Sequence, residues 1–481
     1  MSDNGDVLTS YIDGAWAPSQ GRATRVTSDP ASGESVASYA LADAGDVRRA
    51  VEAAARAAGG WARTTASERS DLVHDFLRLW EGRQDDLADI ATREMGKVRA
   101  ESYGETARVI SESRFWAGEA LRMGERTYPS TRTETDIRAV REPIGPVVAI
   151  APWNFPILTP VRKVIPALVA GCPVILKPAM QAPGASVIIA ELMHELGLPA
   201  GVFGLILGAG SEVGNLLVDA PEVKGITFTG STAVGLAIGE RAARRNARTQ
   251  LEMGGKNAAI VAGVKDVSRA AREIVGAAFT ASGQRCTAIS RVIVTPDVRD
   301  ELEAALVDQA SSIVVGPGLE QGSTMGPVVD RPALENARAF VADAVKDGAR
   351  VILGGDVDDR VGNFMAPTLV TDVAAGSPLA VEEVFAPVLA IVPVRDVDEA
   401  LIVANETPYG LTASVFSDDT GVIHRATSSL RTGMVHVNHG TTSEGHVPFG
   451  GVGASGQGAF GIGDTSLDFF TTRKVIYTVN S

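Results

Sequence analysis

The sequence predicts an α/β fold with two parallel-sheet domains and a small β element outside both. Three observations lead there. The chain has 481 residues, and at roughly 100–200 residues per domain that length divides into more than one core. Short apolar runs alternate with helical stretches through residues 145–251, and a second alternation follows Glu252. Strands alternating with helices pack as a parallel sheet covered on both faces. Two outlying segments, 127–141 and 467–479, fit neither alternation.

Taken in order, residues 65 to about 123 read as helical. They open with Thr65-Ala66-Ser67-Glu68, a spacing at which hydroxyl and carboxylate satisfy free N–H groups at a helix start. Leu72, Val73, Phe76, Leu77 and Trp80 recur at helical spacing and share a face. The first strand set is read at 146–150, 173–176, 202–207 and 225–228, the second at 290–294, 387–394, 411–416 and 434–437. The terminal piece carries Phe469, Phe470, Val475, Ile476 and Tyr477. An apolar strand exposed at a terminus invites pairing with another chain, so both outlying pieces are expected to serve oligomerisation. The expected division is 1–124 with 142–251, then 252–450, with 125–141 and 466–481 as the small β element.

Composition excludes several classes. Hydrophobic residues at 45% and charged residues at 21% are ordinary for a globular protein, which removes disordered and fibrous readings. A net charge of −14 opposes phosphate backbones and anionic lipid, so neither nucleic acid nor membrane is an expected partner. Only two cysteines, Cys172 and Cys286, are present; a disulfide framework is ruled out and a reducing cytoplasm is expected. Met1-Ser2-Asp3-Asn4-Gly5-Asp6 lacks the basic start and apolar core of a signal peptide. The longest apolar stretch, 164–176, contains Pro166, Gly171 and Pro173 and falls short of the roughly 18 residues a membrane helix needs.

Three motif matches carry little. Gly451-Val452-Gly453-Ala454-Ser455-Gly456 fits a dinucleotide fingerprint as a string, but no clear strand leads in and no clear helix follows, so it reads as a mobile glycine loop. Gly254-Gly255-Lys256 ends like a phosphate loop but has Gln250 in place of the first glycine. His436, His439 and His446 lack a cysteine partner and helical spacing, and no metal is expected.

Thr280-Ala281-Ser282-Gly283-Gln284-Arg285-Cys286-Thr287 is more informative. A free cysteine most often ends as a small buried apolar residue. Here polar and glycine neighbours argue for an accessible thiol, and Arg285 beside it favours thiolate. Cys172 lies among apolar residues and reads as core.

Gly283-Gln284-Arg285-Cys286 follows Leu251-Glu252-Met253-Gly254-Gly255-Lys256 with 34 residues from Glu252 to Cys286. With Pro152-Trp153-Asn154-Phe155, Leu176-Lys177-Pro178, Phe228-Thr229-Gly230-Ser231-Thr232, Glu383-Val384-Phe385-Ala386-Pro387 and Pro448-Phe449-Gly450-Gly451 in the same order, the chain resembles the NAD(P)-dependent aldehyde dehydrogenase superfamily, from about residue 10 to the C-terminus. The resemblance implies two Rossmann-like domains, cofactor-binding and catalytic, a homodimer or homotetramer, and NAD or NADP as cofactor. It implies that Cys286 attacks the aldehyde carbon, that the Asn154 amide and the Cys286 N–H hold the resulting oxyanion, and that Glu252 activates the water that hydrolyses the thioester.

By the same match the cofactor residues are Ile150, Pro152, Trp153, Lys177, Met180, Gly210, Phe228, Gly230, Ser231, Val234, Glu383 and Phe385. A helix N-terminus after Gly230 would face the pyrophosphate. Ala386 stands where the family most often has glycine, and Phe155 where relatives acting on a phosphorylated aldehyde use tyrosine. Arg285 and Arg122 are the candidate substrate residues; a guanidinium near the aldehyde suits an acidic semialdehyde such as succinate semialdehyde. Met180 replaces the glutamate that commonly repels the 2′-phosphate in NAD-selective relatives, so NADP is expected to be accepted. Three rivals are weighed: a cofactor-free cysteine hydrolase, for which no histidine lies in a base-like motif, a coenzyme A-acylating dehydrogenase, against which the Glu252 context argues, and a catalytically silent homologue, against which intact Asn154, Glu252 and Cys286 argue.

Overall fold

The computed structural model describes residues 7–356 and 360–479; the acidic stretch 1–6 lies outside the described residues. The helical reading of 65–123 resolves into three helices, Ala66–Glu81, Gln84–Met95 and Arg99–Arg122, preceded by Ala44–Trp61. The Thr65 hydroxyl accepts from the Glu68 N–H at 3.2 Å, and the Glu68 carboxylate accepts from the Thr65 N–H at 2.6 Å. Val73, Phe76, Leu77 and Trp80 are buried, with Leu72 half-buried at the edge of the face. The breaks fall at glycine. Gly96 ends its helix at φ +93°, and a Cβ there would lie 2.8 Å from Pro327 Cγ, so only glycine fits.

The first sheet runs in spatial order Gly456–Gln457, Arg248–Glu252, Gly225–Thr229, Val147–Ala151, Val174–Pro178, Phe203–Leu205, Tyr11–Ile12 and Ala15–Trp16. Its five central strands are parallel. The parallel strands begin at Val147–Ala151, build outward to Phe203–Leu205, then continue on the other side of Val147–Ala151. Two connections therefore diverge beyond the carboxyl end of Val147–Ala151, and such a switch point leaves a crevice there. The glycine segment predicted to be a mobile loop is instead packed. The Met253 N–H donates to Ser455 O at 2.9 Å, and Gly456–Gln457 pairs antiparallel with Leu251 and Glu252.

The second sheet has the order Arg350–Leu353, Thr368–Thr371, Val388–Pro393, Ile289–Val294, Asn257–Val261, Thr412–Phe416 and Met434–Val437. All but the first strand pair in parallel. A three-stranded sheet stands apart, with Thr471–Val479 antiparallel to Thr135–Pro143, which also pairs with Arg126–Tyr128. Val475, Tyr477 and Val479 are exposed on it. Leu467–Phe470 is not part of that strand: it forms one helical turn whose Phe469 and Phe470 are buried in the core of the first domain.

Candidate active site

A cavity of about 640 Å³ lies at the carboxyl ends of the first sheet, closed on its far side by the second domain. Pro152, Trp153 and Asn154 enter it from the end of Val147–Ala151, Gly230 and Ser231 from the end of Gly225–Thr229, and Glu252 from the end of Arg248–Glu252. Arg285, Cys286, Glu383 and Phe385 face them from the second domain.

Cys286 is presented by a left-handed turn in which Ala281, Ser282 and Gly283 take φ of +54°, +57° and +70°. Non-glycine residues hold such angles only where surrounding contacts impose them. Here the Ala281 N–H donates to Glu101 Oε1 at 2.8 Å, Ser282 Oγ to Gly326 O at 2.8 Å, and the Val329 N–H to Gln284 Oε1 at 2.8 Å. A Cβ on Gly283 would sit 2.4 Å from Ala386 O. Arg285 is not the dominant influence on the Cys286 thiol. Burial, with Glu383 and Glu252 adding negative charge, pushes the thiol up to about 12 against the opposing pull of Arg285 and Arg162. Cys172 is fully buried, its thiol donating to Phe470 O at 3.3 Å.

The Asn154 side chain donates to Gln284 O at 2.9 Å, leaving its second N–H for a ligand. Its backbone is fixed by the buried Lys97, which donates to Asn154 O at 2.7 Å, pairs with Glu105 and lies 4.4 Å over the Phe155 ring. Glu252 is buried, and its Oε2 has no hydrogen-bond partner among the described residues. Burial raises its carboxyl above the ordinary range while Lys163 and Arg162 oppose the shift. Burial lowers Lys163 in turn. Lys163 Nζ donates to Thr227 Oγ1 at 2.9 Å, and Thr227 to Gln250 Oε1 at 2.8 Å, so a buried polar chain leads away from the cavity.

Ile150, Lys177 and Phe228 lie in register on three neighbouring strands. A Cβ on Gly230 would meet the Phe228 ring at 2.6 Å, which holds the backbone close above that ring. Ser231 caps the Thr232–Ala243 helix by position only, with no side-chain bond, leaving the first N–H groups available; Val234 is exposed one turn on. Lys177 is buried, donates to Pro178 O at 2.9 Å, and is pushed down to about 8 by burial and by Arg25. The Gly210–Gly214 turn reaches it, a Cβ on Gly214 lying 3.6 Å from Lys177 Cε. Glu383 accepts from the Gly255 N–H at 2.9 Å, and the Phe385 ring meets Trp153 edge-on at 5.6 Å. Helix donors for a pyrophosphate, a lysine and a carboxylate for ribose oxygens, and an aromatic wall together fit a dinucleotide. Met180 is buried in the core of the first domain and does not line the cavity.

Of the two predicted substrate arginines, one lines the cavity. Arg285 lines the cavity and donates to Thr287 Oγ1 at 3.2 Å and Thr441 Oγ1 at 3.4 Å. Arg122 is exposed and pairs with Glu119. It lies near the end of Arg99–Arg122, about 21 Å along the helix axis from Arg108 at 1.5 Å per residue. Arg108 and Arg162 line the cavity instead. Glu101, Glu105, Arg108 and Glu112 follow the three- and four-residue spacing of one helix face, a signal present in the sequence.

The sequence profile of the aldehyde dehydrogenase family matches residues 16–476. The chain belongs to the aldehyde dehydrogenase family. It is 38% identical to the alpha-ketoglutarate semialdehyde dehydrogenase of Haloferax volcanii, over 98% of this chain and 99% of that one. It is 36% identical to the NADP(+) succinate-semialdehyde dehydrogenase of Escherichia coli, over 94% of each. The betaine aldehyde dehydrogenase of Staphylococcus aureus, solved in complex with NAD+, superposes with a TM-score of 0.95 at 32% identity over 98% of this chain and 95% of that one. This chain is thus an NAD(P)-dependent aldehyde dehydrogenase with two parallel-sheet α/β domains. Among the described residues no helix is long and apolar enough to cross a membrane.

Proposed function

We propose that this aldehyde dehydrogenase oxidises an acidic semialdehyde, of which succinate semialdehyde is the type, to the dicarboxylate without coenzyme A. The observation that carries the reading is one cavity holding Cys286, Glu252 and Asn154 together with Arg108, Arg162 and Arg285. Cys286 gives up its thiol proton to water in the cavity as Sγ bonds the aldehyde carbon, and the oxygen left negative is met by the free Asn154 amide N–H and the Cys286 backbone N–H. A dinucleotide held by these residues would supply the hydride acceptor for oxidation of this adduct to the thioester. Glu252 then takes a proton from water, and its lack of a partner at Oε2 leaves that oxygen free to do so. Trp153 and Phe385 wall the cofactor side of the cavity. The semialdehyde activities named for the relatives from Haloferax and Escherichia point the same way.

NADP is accepted in this reading. Position 180 offers no carboxylate to repel a 2′-phosphate, and the sequence reading missed a second cation, Arg25, close enough to Lys177 to oppose its charge. The three-stranded sheet, with Val475, Tyr477 and Val479 exposed, serves assembly of like chains. The test is kcat/KM for succinate semialdehyde and for butanal, followed by absorbance of the reduced dinucleotide, with NAD or NADP and with or without coenzyme A. Preference for the acid, NADP turnover and indifference to coenzyme A are expected. A requirement for coenzyme A, or equal efficiency with butanal, would overturn it.

A further inference from the structure

Glu112 is buried in the wall of the cavity and binds two of its three arginines at once. Arg162 donates to both carboxylate oxygens, Nε at 3.0 Å and Nη2 at 2.7 Å, and Arg108 Nε donates at 3.0 Å. The fork is held from outside as well. Arg108 Nη2 donates to Ser443 Oγ at 3.3 Å, Arg162 lies 5.5 Å from the Phe449 ring, and Gly445 packs so closely that a Cβ there would sit 2.6 Å from Glu112 Cγ. Glu112 does not line the cavity, whereas both arginines do. Its carboxylate is therefore spent inside the protein, and a substrate meets only the outward N–H groups of the guanidiniums.

The geometry points to Glu112 as the residue that sets the charge of the anion this site prefers: a singly charged carboxylate over a doubly charged phosphate. The inference rests on the acidic-semialdehyde reading above. Arg108, Arg162 and Arg285 line the cavity, opposed by Glu112 and by Glu101, whose Oε1 is fixed by the Ala281 N–H, while the other charges of the lining are each opposed by a partner: Lys97 by Glu105, Lys163 by Glu252 and Glu383 by Lys256. Three guanidiniums against two carboxylates leave one positive charge, which one carboxylate neutralises and a phosphate dianion overshoots. A carboxylate shared between two arginines also holds both guanidiniums in place, so that the fork is ordered before the substrate arrives. Without Glu112 the excess becomes two, and the balance moves toward the dianion.

The experiment compares kcat/KM for succinate semialdehyde, glyceraldehyde 3-phosphate and butanal at about pH 8, where a phosphate monoester is a dianion. Wild-type preference for succinate semialdehyde over butanal tests the underlying reading on its own; if it is absent, that reading fails whatever the variants do. In Glu112→Gln the ratio of succinate semialdehyde to glyceraldehyde 3-phosphate efficiency should move toward the phosphate by at least fivefold. Arg108→Gln, which lowers the local charge instead, should move it the other way by at least fivefold, and stands alone if Glu112→Gln does not fold. The double variant, with one positive charge in excess again, should return to within fivefold of wild type. A merely structural role would lower both efficiencies and leave the ratio where it was. A smaller shift, or one in the opposite direction, in the soluble single variants overturns the inference.

Discussion

Single residues carry the chemistry, and two thiols illustrate how far sequence context reads it. The glycine and polar neighbours of Cys286 pointed to an accessible thiol, which lines the cavity, and the apolar neighbours of Cys172 pointed to core, where it is buried. The groups that surround the Cys286 thiol were not legible. Arg285 is adjacent in sequence, but Glu252 and Glu383 arrive from distant segments and outweigh it. Cys172→Ala is expected to keep full turnover, losing only the small packing contribution of a buried sulfur, about 1–2 kcal/mol by denaturant unfolding. Loss of activity in that variant with the fold intact would misassign the nucleophile. Glu252 carries a sign that can be followed with pH. A carboxyl raised by burial stays protonated over a wider range, and only its deprotonated form accepts a proton from water. Hydrolysis should therefore rise with pH past neutrality and fall below it. A pre-steady-state hydrolysis rate flat from about pH 6 to about pH 9 would show that Glu252 is not the base. For the dinucleotide, Arg25→Ala is expected to raise the KM for NADP about tenfold with little change for NAD, as loss of one phosphate-pairing cation predicts. Equal effects on both cofactors would remove Arg25 from that role.

At the scale of elements, what repeats locally was readable. The capping box at Thr65 and Glu68 formed as its spacing predicts, and eight apolar runs became strands within a residue or two of their limits. Strands bounded by polar residues, such as Thr368–Thr371, escaped because their burial is supplied by neighbours and not by their own composition. Arg122 failed for a related reason: helical position fixes which face a residue occupies, but which stretch of a 24-residue helix crosses the cavity is decided by packing. Thr65→Ala should cost about 1 kcal/mol of stability and Thr65→Asp almost nothing, since a carboxylate caps equally well. Equal losses for both would mean the helix start is held by tertiary contacts alone.

For the whole molecule, the proposed assembly rests on the terminal strand. Its nine residues run in register with Thr135–Pro143 and leave Val475, Tyr477 and Val479 uncovered. Charging two of them, as in Val475→Lys with Tyr477→Lys, is expected to reduce the particle to a single-chain mass by light scattering while the far-ultraviolet spectrum stays unchanged. An unchanged mass would place the contact elsewhere. The cavity is likewise a property of the whole chain, because its wall takes Asn154 and Glu252 from one sheet and Cys286 and Glu383 from the other. The most direct test of the mechanism uses Glu252→Gln, which leaves the nucleophile in place and removes the base. Incubated with succinate semialdehyde and NADP, this variant should hold the acyl group on Cys286, seen by peptide mass spectrometry as one added succinyl per chain with one equivalent of reduced dinucleotide. No adduct on Cys286, or undiminished steady turnover, would contradict the account.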